Sequence, residues 1–403
     1  MLSYSFPAFD TMLLPRLTRF QAIAITTVLF LPALPAAAQS PLPATALPTV
    51  EAKTWALYDP ATGKMLASND ANTRIIPASL TKVLTAYIIC EALHDKRLRE
   101  EQMVNVSMNA YHVDKSSSKM FIDPKVPVSI KDLLYGLIIQ SGNDAAVQLA
   151  EAVSGTEDAF ASVMNKKAAE LGMKASHFQN ASGLPGAEHY STAEDLAVLA
   201  ARVIKDYPEE YKIYSIKNWA YNNINQGNRN MLLYSDPTVD GMKTGHVKES
   251  GYNLIASAKR PGSAGEYRLI AVVTGSASPR ARANDAEKLL SWGYANFEDV
   301  KLAGKGAVVG TPVIWKGQQK TVKAGYADDR YETVAKGTSD KMKTQVVLQE
   351  KLVAPLAKGA KIGVAKVSYD GKPVTEVPVV ALEDVPQAGF FARLIDTVRL
   401  WFA

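Results

Sequence analysis

The stretch from Leu80 to Leu93 constrains the fold of this chain more than any other. Leu80, Val83, Leu84, Tyr87 and Ile88 recur at helical spacing. Ala86, Ile89 and Leu93 are apolar as well, so the helix has almost no polar face. Such a helix is expected to be buried nearly all round and needs other elements to enclose it. The sequence supplies them on both sides. Upstream, Trp55-Ala56-Leu57-Tyr58 and Met65-Leu66-Ala67 flank the turn Asp59-Pro60-Ala61-Thr62-Gly63, which predicts a hairpin over Thr54–Ser68. Downstream, a helix is predicted from Ser129, as N-cap, to near Gln140, and another after Asn143. A third is capped by Thr156, with Glu157 and Asp158 in its first turn, and stops at Gly172. Tyr252–Lys259 and Arg268–Thr274 then read as a second antiparallel hairpin, followed by a helix over about 280–297. Strands, helices and strands again around one core predict an α+β layered domain.

The rest of the 403 residues divides around that domain. Arg16 and Arg19 precede the apolar run Phe20–Leu34, followed by Ala36-Ala37-Ala38, which reads as a secretory signal over residues 1–38. The catalytic domain is expected over 39–304, beginning with a Pro/Ala/Ser-rich linker. Beyond Gly304, short valine-rich stretches and the turn Asp370-Gly371 predict a small β domain over 305–385. In 386–403, Phe390, Phe391, Leu394, Ile395, Val398, Trp401 and Phe402 fall at helical spacing opposite Arg393, Asp396, Thr397 and Arg399. That pattern suits a helix lying in a membrane interface; the alternative is a helix docked on the β domain.

Composition narrows the chemistry. A net charge of +5 with no run of five basic residues gives no nucleic-acid footprint. A single cysteine, Cys90, excludes an intrachain disulfide framework, and its apolar helical setting reads as a buried inert thiol. The five histidines are scattered and His-Glu-x-x-His is absent, so no metal or other cofactor is expected.

Three short motifs carry the chemistry that remains. Ser79 and Lys82 are three residues apart at the head of the apolar helix, so the amine can reach the hydroxyl. A lysine whose pKa is lowered by burial or by neighbouring positive charge can take the serine proton. A similar run, Ser116-Ser117-Ser118-Lys119, falls in a polar stretch and reads as loop. Ser141-Gly142-Asn143 sits in the break between two helices, where a hydroxyl and an amide can relay a proton and hold a carbonyl. Lys243-Thr244-Gly245 is expected to end the strand Thr238–Met242, offering a cation and a hydroxyl to a carboxylate and a glycine for close backbone approach. Singly, each motif is weak. Together and in this order, Ser-x-x-Lys, Ser-x-Asn and Lys-Thr-Gly are specific. They are the set of class A β-lactamases and penicillin-binding proteins, with Gly142 where the β-lactamase triplet has Asp.

On these motifs the chain resembles the low-molecular-mass penicillin-binding proteins, serine-type D-alanyl-D-alanine carboxypeptidases. The stretches Asp240–His246 and Gly251–Leu254, Gln140–Ala145, and Arg282 ahead of Leu289-Leu290-Ser291-Trp292-Gly293 carry the resemblance further. It implies a β-lactamase/transpeptidase-like catalytic domain, an antiparallel sheet with helical layers, followed by a small β-sandwich-like domain and an amphipathic terminal helix. It also implies cleavage of the last D-Ala–D-Ala bond of peptidoglycan stem peptides, inhibition by β-lactams, and residence on the periplasmic face of the cytoplasmic membrane. Ser79 would be the nucleophile, Lys82 its base, and Ser141 the proton relay to the leaving group. Asn143 would hold a substrate amide. Lys243, Thr244 and Arg282 would hold the terminal carboxylate. Gly245 and His246 would line the substrate site, with the N–H groups of Ser79 and His246 as oxyanion hole. Three competing readings share the motifs: a β-lactamase, an endopeptidase cutting cross-links, and a wall-binding protein with idle machinery.

Overall fold

The computed structural model describes residues 46–402. The proposed signal segment and most of the linker therefore lie outside the described residues. The first hairpin forms as the turn sequence predicts: β1 (Thr54–Asp59) pairs with β2 (Lys64–Asn69). Asp59 caps the turn by accepting from the backbone N–H groups of Ala61 and Thr62. The second sheet segment is longer than the sequence suggested. β3 (Val239–Val247), β4 (Gly251–Gly262) and β5 (Gly265–Ser276) join the hairpin in one antiparallel sheet of order β2-β1-β5-β4-β3.

Strand alternation divides that sheet between two cores. Ala56, Ile255, Ile270 and Val272 face a helical layer. Leu57, Leu254, Leu269, Ala271 and Val273 face the other way, onto Leu289 and Leu290 of α6 (Pro279–Asn296). The helical layer contains α1 (Lys82–His94), α2 (Ile130–Tyr135), α3 (Asn143–Ser154), α4 (Glu157–Leu171) and α5 (Ala193–Asp206). α1 is enclosed as its composition requires, with every residue from Lys82 to Cys90 buried. Its fully buried Leu84, Ile88 and Ile89 contribute about 1.5–3 kcal/mol each by leaving water. Cys90 is buried among them, and burial pushes its thiol pKa far above the ordinary range, so it is not a nucleophile. The caps at Ser129, Thr156 and Gly172 form as the sequence indicates.

Two local details differ from expectation. Ser79 does not open the α-helix; it lies in a 3₁₀ turn, Ala78–Thr81, and α1 begins at Lys82. The helix after Ser129 narrows to α2 and continues as a wide π turn, Gly136–Gln140, before breaking at Ser141.

The chain next forms β6 (Phe297–Ala303), which pairs with β7 (Arg330–Ala335). The texture change at Gly304 therefore falls inside a strand pair. A separate core of Ile314, Ala324, Ile362, Ala365, Val377 and Val379 supports a five-stranded sheet. That sheet includes β8 (Met342–Leu348), β9 (Lys361–Tyr369) and β10 (Lys372–Ala381). β6 and β7 are joined to the first hairpin by buried polar contacts. Thr333 donates to Asp59 at 2.6 Å, Thr62 and Thr333 share a 2.8 Å hydrogen bond, and Lys64 pairs with Glu332. Burial, and the neighbouring carboxylates of Asp59 and Glu332, raise the Asp299 pKa well above the ordinary carboxylate range. The chain closes with α7 (Phe390–Leu400). No helix among the described residues is long and apolar enough to cross a membrane.

Candidate active site

The geometry is built outward from the 3₁₀ turn. Ala78 has φ +50°, a left-handed conformation that a residue with a Cβ adopts only under constraint. The turn holds Ser79 beside α1, and Lys82 Nζ lies 3.1 Å from Ser79 Oγ. Lys82 is buried and donates to Asn143 Oδ1 at 2.7 Å and to the Ser182 carbonyl at 2.6 Å. Burial, reinforced by the charge of Arg229, lowers its pKa to about 7. Burial is the larger cause, Arg229 adds to it, and Lys243 and Lys82 disfavour each other's ammonium form. Lys243 is itself held well below its usual value by burial and by Lys82, Arg229 and Arg282. A neutral amine has two N–H donors and one lone pair. With both donors taken by Asn143 and Ser182, the lone pair is left for Ser79.

The Ser182 carbonyl is held by a dedicated loop. Asn180 Oδ1 accepts from the backbone of Ser182, Gly183 and Leu184, and Glu157 accepts from Ala181 N–H. Gly183 has φ +88°, and a Cβ there would lie 1.8 Å from the Ala78 carbonyl. Below the same turn, buried His189 accepts from Gln179 N–H through Nδ1, so Nε2 carries the proton and donates to Thr81. Burial lowers His189 to about 4, leaving it neutral and structural.

Ser141 ends the π turn in the left-handed region, φ +63°, and its buried Oγ has no hydrogen-bond partner. Asn143 N–H donates to Ser118 O at 2.7 Å. The next residue, Asp144, accepts from the N–H groups of Met120, Phe121 and Ile122. The second motif thus moors the segment 118–122 as well as meeting Lys82.

The third motif is placed differently from the sequence expectation. Lys243, Thr244, Gly245 and His246 lie inside β3, which continues to Val247, rather than beyond its end. The extension arises because β4 pairs with them residue for residue, from Lys243–Ile255 to His246–Tyr252. β3 is the edge of its sheet, so this run flanks the site with one side unpaired. A Cβ on Gly245 would meet Pro77 O at 3.0 Å and Leu80, so this glycine lets the strand approach the 3₁₀ turn. Exposed His246 stacks on Tyr252, with ring centroids 4.1 Å apart. Arg282 is buried rather than a surface arginine of an amphipathic helix. It donates to Gly245 O at 3.1 Å and lies over the Tyr252 ring, and burial lowers it to about 10.

A cleft of about 430 Å³ is lined by Ser79, Ser141, Asn143, Thr244, Gly245, His246 and Arg282. Lys82 and Lys243 stand buried behind its wall. Ser116, Ser117 and Ser118 also line it, so the run read as mere loop is a wall of the cleft. Arg229, which sequence reasoning missed, sits at the rim and donates to Ser118 Oγ at 2.6 Å. No motif marks an isolated arginine between short elements, and a backbone acceptor such as Ser182 O leaves no sequence signal. Among the described residues no cluster of His, Cys, Asp and Glu could hold a metal ion.

Residues 40–278 match the family model described as D-alanyl-D-alanine carboxypeptidase. The chain belongs to this family. Residues 297–387 match a second model, described as penicillin-binding protein 5, C-terminal domain. The family relative D-alanyl-D-alanine carboxypeptidase DacC of Escherichia coli K12 is 40% identical over 361 residues, covering 88% of this chain and 89% of the relative. The crystal structure of penicillin-binding protein 5 from Haemophilus influenzae is 39% identical. It superposes with a TM-score of 0.77, covering 85% of this chain and 100% of that one. Penicillin-binding protein D2 from Listeria monocytogenes, solved in its cefotaxime-bound form, is 29% identical with a TM-score of 0.57, covering 62% of this chain and 100% of that one. Family membership thus extends through both domains and accounts for the order of the three motifs.

Proposed function

We propose that this chain is a serine D-alanyl-D-alanine carboxypeptidase that removes the terminal D-alanine from peptidoglycan stem peptides and is acylated by β-lactams. The observation that carries the reading is the buried Lys82, its pKa lowered to about 7, with Nζ 3.1 Å from Ser79 Oγ. Lys82 takes the Ser79 proton as Oγ attacks the penultimate carbonyl carbon. The negative charge that forms on the carbonyl oxygen is received by the N–H groups of Ser79 and His246. The C–N bond then breaks, and Ser141 relays the proton that Lys82 took from Ser79 to the departing D-alanine amine, which leaves Lys82 neutral again. The unpartnered Ser141 hydroxyl suits that task, because it has no bond to give up. Asn143 has Oδ1 engaged by Lys82 and its NH₂ available for a substrate carbonyl. Lys243, Thr244 and Arg282 gather around the terminal carboxylate, and the open edge of β3 receives the peptide backbone as an added strand. Water finally hydrolyses the Ser79 ester. The test is release of D-alanine from a soluble pentapeptide, which Ser79→Ala should abolish.

We also propose that the protein is exported and rests on the periplasmic face of the cytoplasmic membrane through α7. The exposure pattern supports this. Arg393, Asp396, Thr397 and Leu400 are half-buried, and Asp396 accepts from Lys316 N–H at 2.7 Å. The bulky apolar residues face outward, with Phe391 79%, Trp401 78% and Phe402 88% exposed. A helix docked on the β domain would bury its apolar face instead. Deleting 386–403 should abolish co-sedimentation with anionic phospholipid vesicles and leave D-alanine release from soluble peptide intact. Equal sedimentation of both forms would contradict the anchor.

A further inference from the structure

A second cavity, of about 460 Å³, adjoins the catalytic cleft and has no role in the chemistry above. Tyr111, His112, Lys115, Lys119, Phe121 and Ile122 line it. The two cavities share one wall. Ser116, Ser117 and Ser118 line the cleft, while Lys115 and Lys119, from the same run, line the second cavity. A peptide leaving the cleft over Ser118 therefore meets Lys119 next.

The cavity is preformed rather than a loose fold of loop. Asn143 N–H holds Ser118 O, and the Asp144 carboxylate binds the N–H groups of Met120, Phe121 and Ile122. That buried carboxylate lines the cavity, and these donors, with Ala145 N–H, already satisfy it. Asp123, the other acid of the lining, accepts from Lys125 N–H. Lys115 and Lys119 form no salt bridge among the described residues; the nearest acid in their own run is Asp114, on the cleft side, whose carboxylate and Lys119 favour each other's charged form. Phe121 is a second anomaly. Its φ is +70°, which a bulky residue rarely adopts, and its ring is 50% exposed. Tyr111 is likewise exposed, at 45%. Backbone constraint that presents an aromatic ring to solvent points to a ligand rather than to packing.

We propose that this cavity binds the acyl-side arm of the peptide substrate, and that Lys115 and Lys119 select arms carrying a carboxylate upstream of the scissile bond. The inference rests on the carboxypeptidase reading. The ammonium groups attract the carboxylate, and the exposed rings of Tyr111 and Phe121 cover the arm's methylene groups.

A matched pair of peptides tests it: L-Ala-γ-D-Glu-L-Lys-D-Ala-D-Ala and the same peptide with the glutamyl α-carboxylate converted to an amide. The wild-type kcat/KM should favour the carboxylate form by about fivefold or more, and the preference should shrink in 1 M salt. Lys119→Gln and Lys115→Gln should each reduce the ratio, and the double variant should bring it close to one, with melting curves reporting that each variant is folded. A wild-type ratio of one, or a ratio unchanged in the variants, overturns the proposal while the carboxypeptidase reading stands. Failure of the wild type to release D-alanine from either peptide overturns both.

Discussion

Lys82→Ala should slow acylation by about 10²–10⁴-fold, the usual worth of a positioned general base. The wild-type pH profile should show why. Lys82 is lowered to about 7, with burial as the first cause and Arg229 as the second. Only the neutral amine can accept the Ser79 proton. As pH falls below about 7 the amine is protonated and acylation by penicillin slows tenfold per unit. As pH rises above 7 the rate levels off. An ordinary lysine would instead keep the rate climbing to about 10.4. A rising limb that continues to that value would contradict the assignment of Lys82 as the base.

Gly183→Ala should damage the site without touching any motif. The added Cβ would have to occupy space 1.8 Å from Ala78 O and 2.9 Å from Thr81 Oγ1, in a backbone conformation that disfavours any side chain. Left-handed strain and overpacking together cost about 2–5 kcal/mol. The loop cannot retreat freely, since Asn180 and Glu157 hold its backbone. The shift must therefore move Ser182 O away from Lys82, or the Ala78–Ser79 turn away from its strand. Urea unfolding should show a lower midpoint, and penicillin acylation should slow by at least tenfold. Wild-type values for both would mean that this loop does not position Lys82.

The parts of the fold that were legible in the sequence are those written in local chemistry. The turn Asp59–Gly63, the caps Ser129 and Thr156, and the stop at Gly172 each act over a few residues, and each formed as expected. The enclosed helix α1 was legible because its apolar residues leave no polar face. The three motifs could be read as one site because their order is itself informative. What sequence reasoning missed depends on contacts between distant segments. Ser182 offers only a backbone carbonyl to Lys82, one hundred residues earlier in the chain. Arg229 acts through its position at the rim, not through any neighbour in sequence. Lys243-Thr244-Gly245 were expected at the end of the strand Thr238–Met242, and Lys and Gly are indeed residues that strands disfavour. Pairing with β4 overrides that local preference. Ser116–Ser118 looked like loop, and they are loop. Their place on the cleft wall comes from Asn143 and Asp144, which pull that segment inward.

The central claim is that Ser79 and Lys82 cleave the bond between two terminal D-alanines. It is tested most directly by incubating the purified protein with a soluble pentapeptide ending in D-Ala-D-Ala and measuring free D-alanine. The account predicts one D-alanine per tetrapeptide formed, none with Ser79→Ala, and a long-lived penicillin adduct on Ser79 that blocks the release. D-alanine release that survives Ser79→Ala would contradict it, as would rapid penicillin turnover by a protein that leaves the pentapeptide intact.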